Sequence, residues 1–292
     1  MDISQSDTTD LLKRVRRIEL RTRRQSNQLF SGEYHSAFKG RGMAFSEVRE
    51  YSPGDEIRII DWNVTARTGI PHVKVFEEER ELTVMLLIDV SASDDFGTQA
   101  MSKRDMITEI SAVLSFSAIQ NNDKVGVIFF SDKVEKFIPP KKGRSHILQI
   151  IRTLLDFKPE SSGTDIAEAL RYLNNVVKKR SIAFVLSDFM DEGYLNPLKI
   201  AGRRHDCIGL QISDRREMEL PNIGLALFKD EETGTEKWVD TSSKKVRDRY
   251  SKKAQDYQIK LKESFKKAGV DYEQVFTDSD YIAPLMKLFK RR

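Results

Sequence analysis

Apolar residues along this chain change their period twice. Leu11, Val15, Ile18 and Leu29 recur at helical spacing, with Thr22 and Gln25 interrupting the stripe. Thr9 or Asp10 can cap the start of that helix. From Phe30 to about Arg80 the runs shorten to strand length, broken by Gly32, Gly40, Gly42 and Ser52-Pro53-Gly54-Asp55. Pro then Gly suits the middle of a type II turn, because Gly takes the positive φ. Val73 and Val75 alternate with polar neighbours, as on a half-buried strand. From Leu82 onward, continuous apolar runs alternate with longer amphipathic stretches. Residues 84–90, 124–130, 182–186, 207–212 and 270–276 read as strands, and 134–138 as an edge strand. Helices are expected near 102–121, 145–156, 166–179, 197–204, 244–268 and 281–290. A hairpin is expected over 225–239, turning at Glu232-Thr233-Gly234.

Apolar strands separated by helices predict a doubly wound, mostly parallel α/β sheet with helices on both faces. The chain then divides into a basic amphipathic helix (1–29), a small β-rich module (30–81) and an α/β domain (82–292). In such a sheet, ligands bind beyond the carboxyl ends of the strands. The residues that follow the apolar runs are therefore the ones to inspect.

Composition narrows the class. The 292 residues are 39% hydrophobic and 32% charged, enough apolar material for a core and too much for a disordered chain. A formal charge of +4 neither requires nor excludes nucleic acid as a partner. One cysteine excludes a disulfide scaffold and a Cys-rich metal site. No run approaches the ~20 apolar residues needed to span a bilayer, and MDISQSDTTD lacks the features of a secretory signal. A mature, soluble, cytoplasmic chain is expected.

Three segments lie at the predicted binding edge. They are Asp89-Val90-Ser91-Ala92-Ser93, then Ser161-Ser162-Gly163-Thr164-Asp165, then Ser187-Asp188. They offer carboxylates and hydroxyls with no nitrogen or sulfur donor. Hard oxygen ligands, few of them charged, suit Mg²⁺ or Mn²⁺ that keeps some water. Taken singly these are ordinary loop and cap residues, and Thr164 or Asp165 could simply cap a helix. Their order and shared position on the sheet favour a site.

The set Asp89-x-Ser91-x-Ser93, Gly163-Thr164 and Asp188 resembles the metal-ion-dependent adhesion site of von Willebrand factor A domains. The stretch Phe45-Ser46-Glu47-Val48-Arg49-Glu50-Tyr51-x-Pro53-Gly54-Asp55-x-x-Arg58-x-Ile60-Asp61-Trp62-x-x-x-Ala66-Arg67 resembles the bacterial "domain of unknown function 58" family. So does Phe76-Glu77-Glu78-Glu79-Arg80. The resemblance implies a von Willebrand A-like α/β domain. It also implies that Ser91 and Ser93 hold the metal directly, and Thr164 directly or through water. Asp89 and Asp188 would stand close, often through water. The remaining coordination position would accept a partner's carboxylate. The resemblance further implies a partnership with a MoxR-type AAA+ ATPase in a chaperone-like system. Asp94 and Asp95 follow the first motif and read as a solvated loop.

Enzyme signatures are missing. There is no Gly-x-Ser-x-Gly elbow, and Lys142-Gly143-Arg144-Ser145 lacks the spacing of a P-loop. His35, His72, His146 and His205 are scattered, and Cys207 opens an apolar strand as a buried thiol would. The leading expectation is thus a non-enzymatic, metal-dependent interaction module. Two rivals remain: a basic nucleic-acid or membrane-surface binder using the N-terminal helix, and a metal-dependent hydrolase. Peripheral membrane contact suits the helix better than nucleic acid, since no interleaved aromatics accompany its charges. Arg58, Asp61, Trp62 and Arg67 are expected to pack structurally, as an Arg–Asp pair and a buried Trp.

Overall fold

The computed structural model describes residues 13, 15–22, 43–78, 81–91, 101–229 and 235–292. Among them a six-stranded sheet forms the centre. Its strands are β3 (Thr83–Asp89), β4 (Lys124–Phe130), β5 (Val134–Lys141), β6 (Ile182–Ser187), β7 (Asp206–Ser213) and β10 (Asp271–Phe276). The spatial order is β10-β7-β6-β3-β4-β5, and β8 (Leu225–Lys229) pairs antiparallel with β9 (Glu236–Asp240) as a separate hairpin. Every neighbouring pair is parallel except β4 with β5, which is antiparallel at the edge. This is the doubly wound, mostly parallel α/β sheet expected from the sequence.

Alternation along β3 explains why the sheet is covered on both sides. Val84, Leu86 and Ile88 face one core, and Met85 and Leu87 face the other. The first core is closed by α3 (Lys103–Gln120), α4 (Arg144–Asp156) and α9 (Ile282–Lys290). The second is closed by α5 (Ile166–Val176), α6 (Leu195–Arg204) and α8 (Lys244–Ala268). Gly209 on β7 permits the close approach of α8, because a Cβ there would stand 2.4 Å from Phe265 Cε1. A short helix, α7 (Arg215–Met218), follows β7 and was not expected from the sequence. It carries a capping box in which Asp214 and Glu217 satisfy each other's backbone.

Of the expected N-terminal helix, residues 15–22 lie within the described part and are helical (α1). Val15 and Ile18 pack against the first core, and Thr22 is buried. Glu19, the one acid in the basic stretch, accepts from Arg144 at 2.5 Å, while Arg21 donates to Glu109 at 2.7 Å. The helix is therefore docked on α3 and α4 through its apolar face, with Lys13, Arg16 and Arg17 turned outward.

The small module differs from the expectation of strands and turns alone. β1 (Met43–Glu50) pairs antiparallel with β2 (His72–Glu78), but a helix, α2 (Trp62–Thr68), lies between them. Asp61 accepts from the amides of Asn63 and Val64 to start α2, and Gly69 at φ 74° ends it. The segment before the cap, Ile57–Ile59, forms one 3₁₀ turn. Asp55 N donates to Ser52 O at 3.0 Å with Gly54 at φ 111°, as the Pro-Gly pair required. The expected Arg–Asp pair among Arg58, Asp61 and Arg67, and the buried Trp, are not what forms. Asp61 pairs with Lys74 at 3.6 Å, Arg49 pairs with Asp55 at 2.6 Å, and Trp62 is 67% exposed.

Candidate functional site

β3 and β6 lie side by side, and the chain leaves them toward opposite edges of the sheet, β3 to β4 and β6 to β7. Crevices form beyond the carboxyl ends of strands at such a reversal. Asp89 is the last residue of β3, and Ser187 the last of β6, with Asp188 next. The backbone order of the strands alone therefore brings three polar residues from distant parts of the chain to one point.

The hydrogen bonds fix their orientation. Asp89 Oδ1 accepts from Ser91 N at 3.0 Å, and Oδ2 accepts from the Ser187 hydroxyl at 2.6 Å. Asp188 Oδ1 accepts from Met190 N at 3.0 Å, and Oδ2 accepts from Lys103 Nζ at 3.0 Å. Lys103 also forms an ion pair with Glu217 on α7. Asp89 and Lys103 are each 1% exposed. Burial, and after it the charge of Asp188, push the Asp89 carboxyl up to about 7, against the pull of its bonds to Ser187 and Ser91. Burial also raises Glu217, while the Lys103 ammonium holds it down.

Phe189 carries the strain of this turn. It is fully buried yet sits at φ 60°, a left-handed conformation unfavourable for a bulky residue. Its amide donates to Ser187 Oγ at 2.9 Å, its carbonyl accepts from Tyr257, and its ring meets Phe265 edge-on at 5.1 Å. These contacts hold the turn that aims Asp188 at Lys103.

The Ser161–Asp165 segment crosses the same edge. Asp165 N donates to Ser131 O at 2.8 Å, just beyond β4. The Asp165 carboxylate caps α5 through Glu168 N, and Ile166 N donates to Asp191 in the loop after β6. Thr164 is thereby set between the end of β4 and the loop that follows Asp188. Of the expected site residues, the structure joins Asp89 and Ser91 directly, and ties Asp188 to them through the adjacent Ser187. Thr164 stands on the neighbouring rim. Ser93, with Asp94 and Asp95, lies outside the described residues.

The donor set fits a hard divalent cation. Asp89, Asp188 and Glu217 lie beneath one sheet edge with a single ammonium, Lys103, in contact with the last two. A guanidinium, that of Arg104, also lines the cleft beside Asp89 and Ser91, but is turned to the Phe157 carbonyl. The Asp89 carboxyl is raised first by burial and then by the charge of Asp188, and a cation would offset the second of these. Among the described residues no three His, Cys, Asp or Glu side chains converge as metal ligands. A cation here would therefore depend on the hydroxyls of Ser91 and Thr164 and on water, as suits Mg²⁺ or Mn²⁺. Sequence reading missed Lys103 and Glu217. One signal was visible: a lysine in the first turn of a helix opposes the helix dipole, so it needs a carboxylate partner elsewhere.

On the far side of Asp188 a cavity of about 260 Å³ opens between β6, β7, α7 and α8. Asp188 and Glu217 form part of its wall. No helix among the described residues is long and apolar enough to cross a membrane.

Relatives of this chain include the uncharacterized protein Rv1480 of Mycobacterium tuberculosis, 28% identical over 291 residues, 98% of this chain and 91% of that one. The uncharacterized protein YeaD of Bacillus subtilis is 23% identical over 178 residues, covering 61% of this chain and 42% of its own. Among solved structures, the conserved hypothetical protein BatB of Bacteroides thetaiotaomicron aligns at TM-score 0.48 and 16% identity, covering 72% of this chain and 98% of that one. The family described as "Protein of unknown function DUF58" matches residues 47–260, and the chain belongs to it.

Proposed function

We propose that this protein is a non-enzymatic interaction module that captures a partner's carboxylate through a divalent cation held at the β3–β6 edge. The observation that carries the reading is the buried pair Asp89 and Asp188, whose charge is only partly offset by Lys103. Mg²⁺ or Mn²⁺ would be held by Ser91, Ser93 and Thr164, with Asp89 and Asp188 orienting its water. When bound, the cation supplies an electrophilic position open to an incoming Asp or Glu. Asp89 is already clamped by two donors, so it holds its orientation before and after loading. A hydrolase would call for a positioned base near the ion.

The partner proposed from the family resemblance is a MoxR-type AAA+ ATPase, with this chain as adaptor. A membrane-surface role through the N-terminal helix has weaker support, because Val15 and Ile18 are already packed on the first core. The test is calorimetric titration of chelator-treated protein with Mg²⁺ and Mn²⁺, beside Asp89→Ala. Saturable binding that disappears in the variant supports the reading. A wild type that takes up neither ion refutes it.

A further inference from the structure

The cavity beside Asp188 has a lining out of keeping with its position. Asp188 and Glu217 lie at the strand ends beside Gln211, Ser213 and Gln258, yet the surface that the walls expose is mainly apolar and comes from Met190, Met218, Tyr250, Ala254 and Tyr257. The cause lies in α8. Its C-terminal half packs onto the sheet through Leu261 and Phe265, which are buried. The same stripe continues toward the N-terminus through Tyr257, Ala254 and Tyr250, which line the cavity opposite Gln211 and Ser213 of β7. The space between remains open.

Size and charge define the occupant. About 260 Å³ is below the ~300–1,000 Å³ of drug-sized ligand pockets and suits one large side chain. The two acids of the wall, Asp188 and Glu217, both pair with the buried Lys103. Both carboxylates are turned to that ammonium, and the surface left facing the cavity is mainly apolar. Methionines make the wall adaptable to branched or aromatic shapes. The occupant is thus a neutral, bulky, apolar group.

We propose that this cavity receives an apolar side chain, Leu, Met or Phe in kind, one or two residues from the acidic residue that the cation captures in the partner. Asp188 links the two places: it lines the cavity, and the cation-dependent reading sets it beside the ion. Successive residues of an extended segment are ~3.3 Å apart, so an acid and its neighbour can fill both places at once. The partner's recognition element is then a short extended segment pairing one carboxylate with one large apolar residue. This rests on the cation-dependent reading given above.

The experiment uses the full chain with ¹³C-methyl methionine in Mg²⁺. The probes are acetylated pentapeptides with a central Glu, either all-Ala around it or with Leu or Phe at each other position in turn. At one position Leu or Phe should tighten binding at least about tenfold over the Ala peptide and move the Met190 and Met218 methyl signals. Ala254→Trp, which fills the cavity, should erase that gain and leave Mg²⁺ titration and the Ala peptide unchanged. Ala254→Leu, a milder filling, should erase part of it and serves if the Trp variant does not fold. Equal binding at all four positions overturns the proposal, as does a gain that persists in both variants. A set of peptides that neither bind nor move the methionine signals also overturns it. The Mg²⁺ titration alone then says whether the cation site has failed with it.

Discussion

Replacing Lys103 by methionine removes one ammonium from between two carboxylates while keeping most of the aliphatic stem. In the wild type that ammonium lies 3.0 Å from Asp188 Oδ2 and pairs with Glu217, with the lysine 1% exposed. Water cannot replace it at such burial. Removing one partner of a buried ion pair costs about 3–5 kcal/mol, because the remaining charge is left without compensation. At about 2–4 °C per kcal/mol for a domain of this size, Tm should fall by about 6–20 °C. Packing loss adds little, since methionine fills the channel of the lysine stem.

The pH dependence separates electrostatics from packing. Burial already raises Glu217, and Lys103 opposes that rise. Without the ammonium, Glu217 in the folded variant goes further above its unfolded value. A carboxyl raised in the folded state binds its proton more tightly there, so stability drops as pH climbs through the window between the two values. The deficit of Lys103→Met should therefore shrink between about pH 7 and about pH 5 in urea unfolding. Adding Glu217→Gln should recover part of it. A loss below about 1 kcal/mol, or one of equal size at both pH values, would refute the assignment of Lys103 as the internal counter-ion.

Metal-free wild type should lose stability as pH rises from about 4 to about 7, because native Asp89 keeps its proton to higher pH than the unfolded chain. Asp89→Asn should flatten that stretch of the urea-derived curve; parallel slopes would show that Asp89 is not the group. Gly209→Ala should cost about 1–3 kcal/mol in urea unfolding, since its Cβ would stand 2.4 Å from the buried Phe265 ring. A neutral result would mean that α8 shifts freely. Asp61→Ala should weaken α2 by about 0.5–2 kcal/mol, seen as faster amide exchange across Trp62–Thr68. Unchanged exchange would show that the cap is redundant there.

The α/β domain was legible because burial on both sheet faces leaves unbroken apolar runs. Val84 to Ile88 and Ile182 to Leu186 can hardly be anything but central strands. The small module was less so. There α2 depends on one carboxylate, Asp61, meeting two amides, and on Gly69 at a positive φ. Its residues Trp62, Val64 and Thr65 are poor advertisements for a helix, so local composition pointed to strands. Trp62 also shows why residue type is a weak guide to burial: it starts a helix between two strands and is 67% exposed.

The site divides along a similar line. Asp89, Ser91 and Asp188 were legible because each follows a strand that announces itself, and strand order does the rest. Lys103 and Glu217 were not, because their meaning lies in a contact between elements 114 residues apart, and no period in the chain encodes it. Yet that contact alters the chemistry of the motif. A site made only of Asp89 and Asp188 would hold two buried like charges and would need a cation to remain folded. With Lys103 tied to Asp188 and Glu217, the edge keeps a permanent positive charge that a chelator cannot remove. The fold can then stand before a divalent ion arrives, and ion binding is free to report on the partner. On this argument, chelation should lower Tm far less in the wild type than Mg²⁺ raises it in Lys103→Met. A wild type that melts as early as the variant once stripped of metal would show that the lysine does not do this.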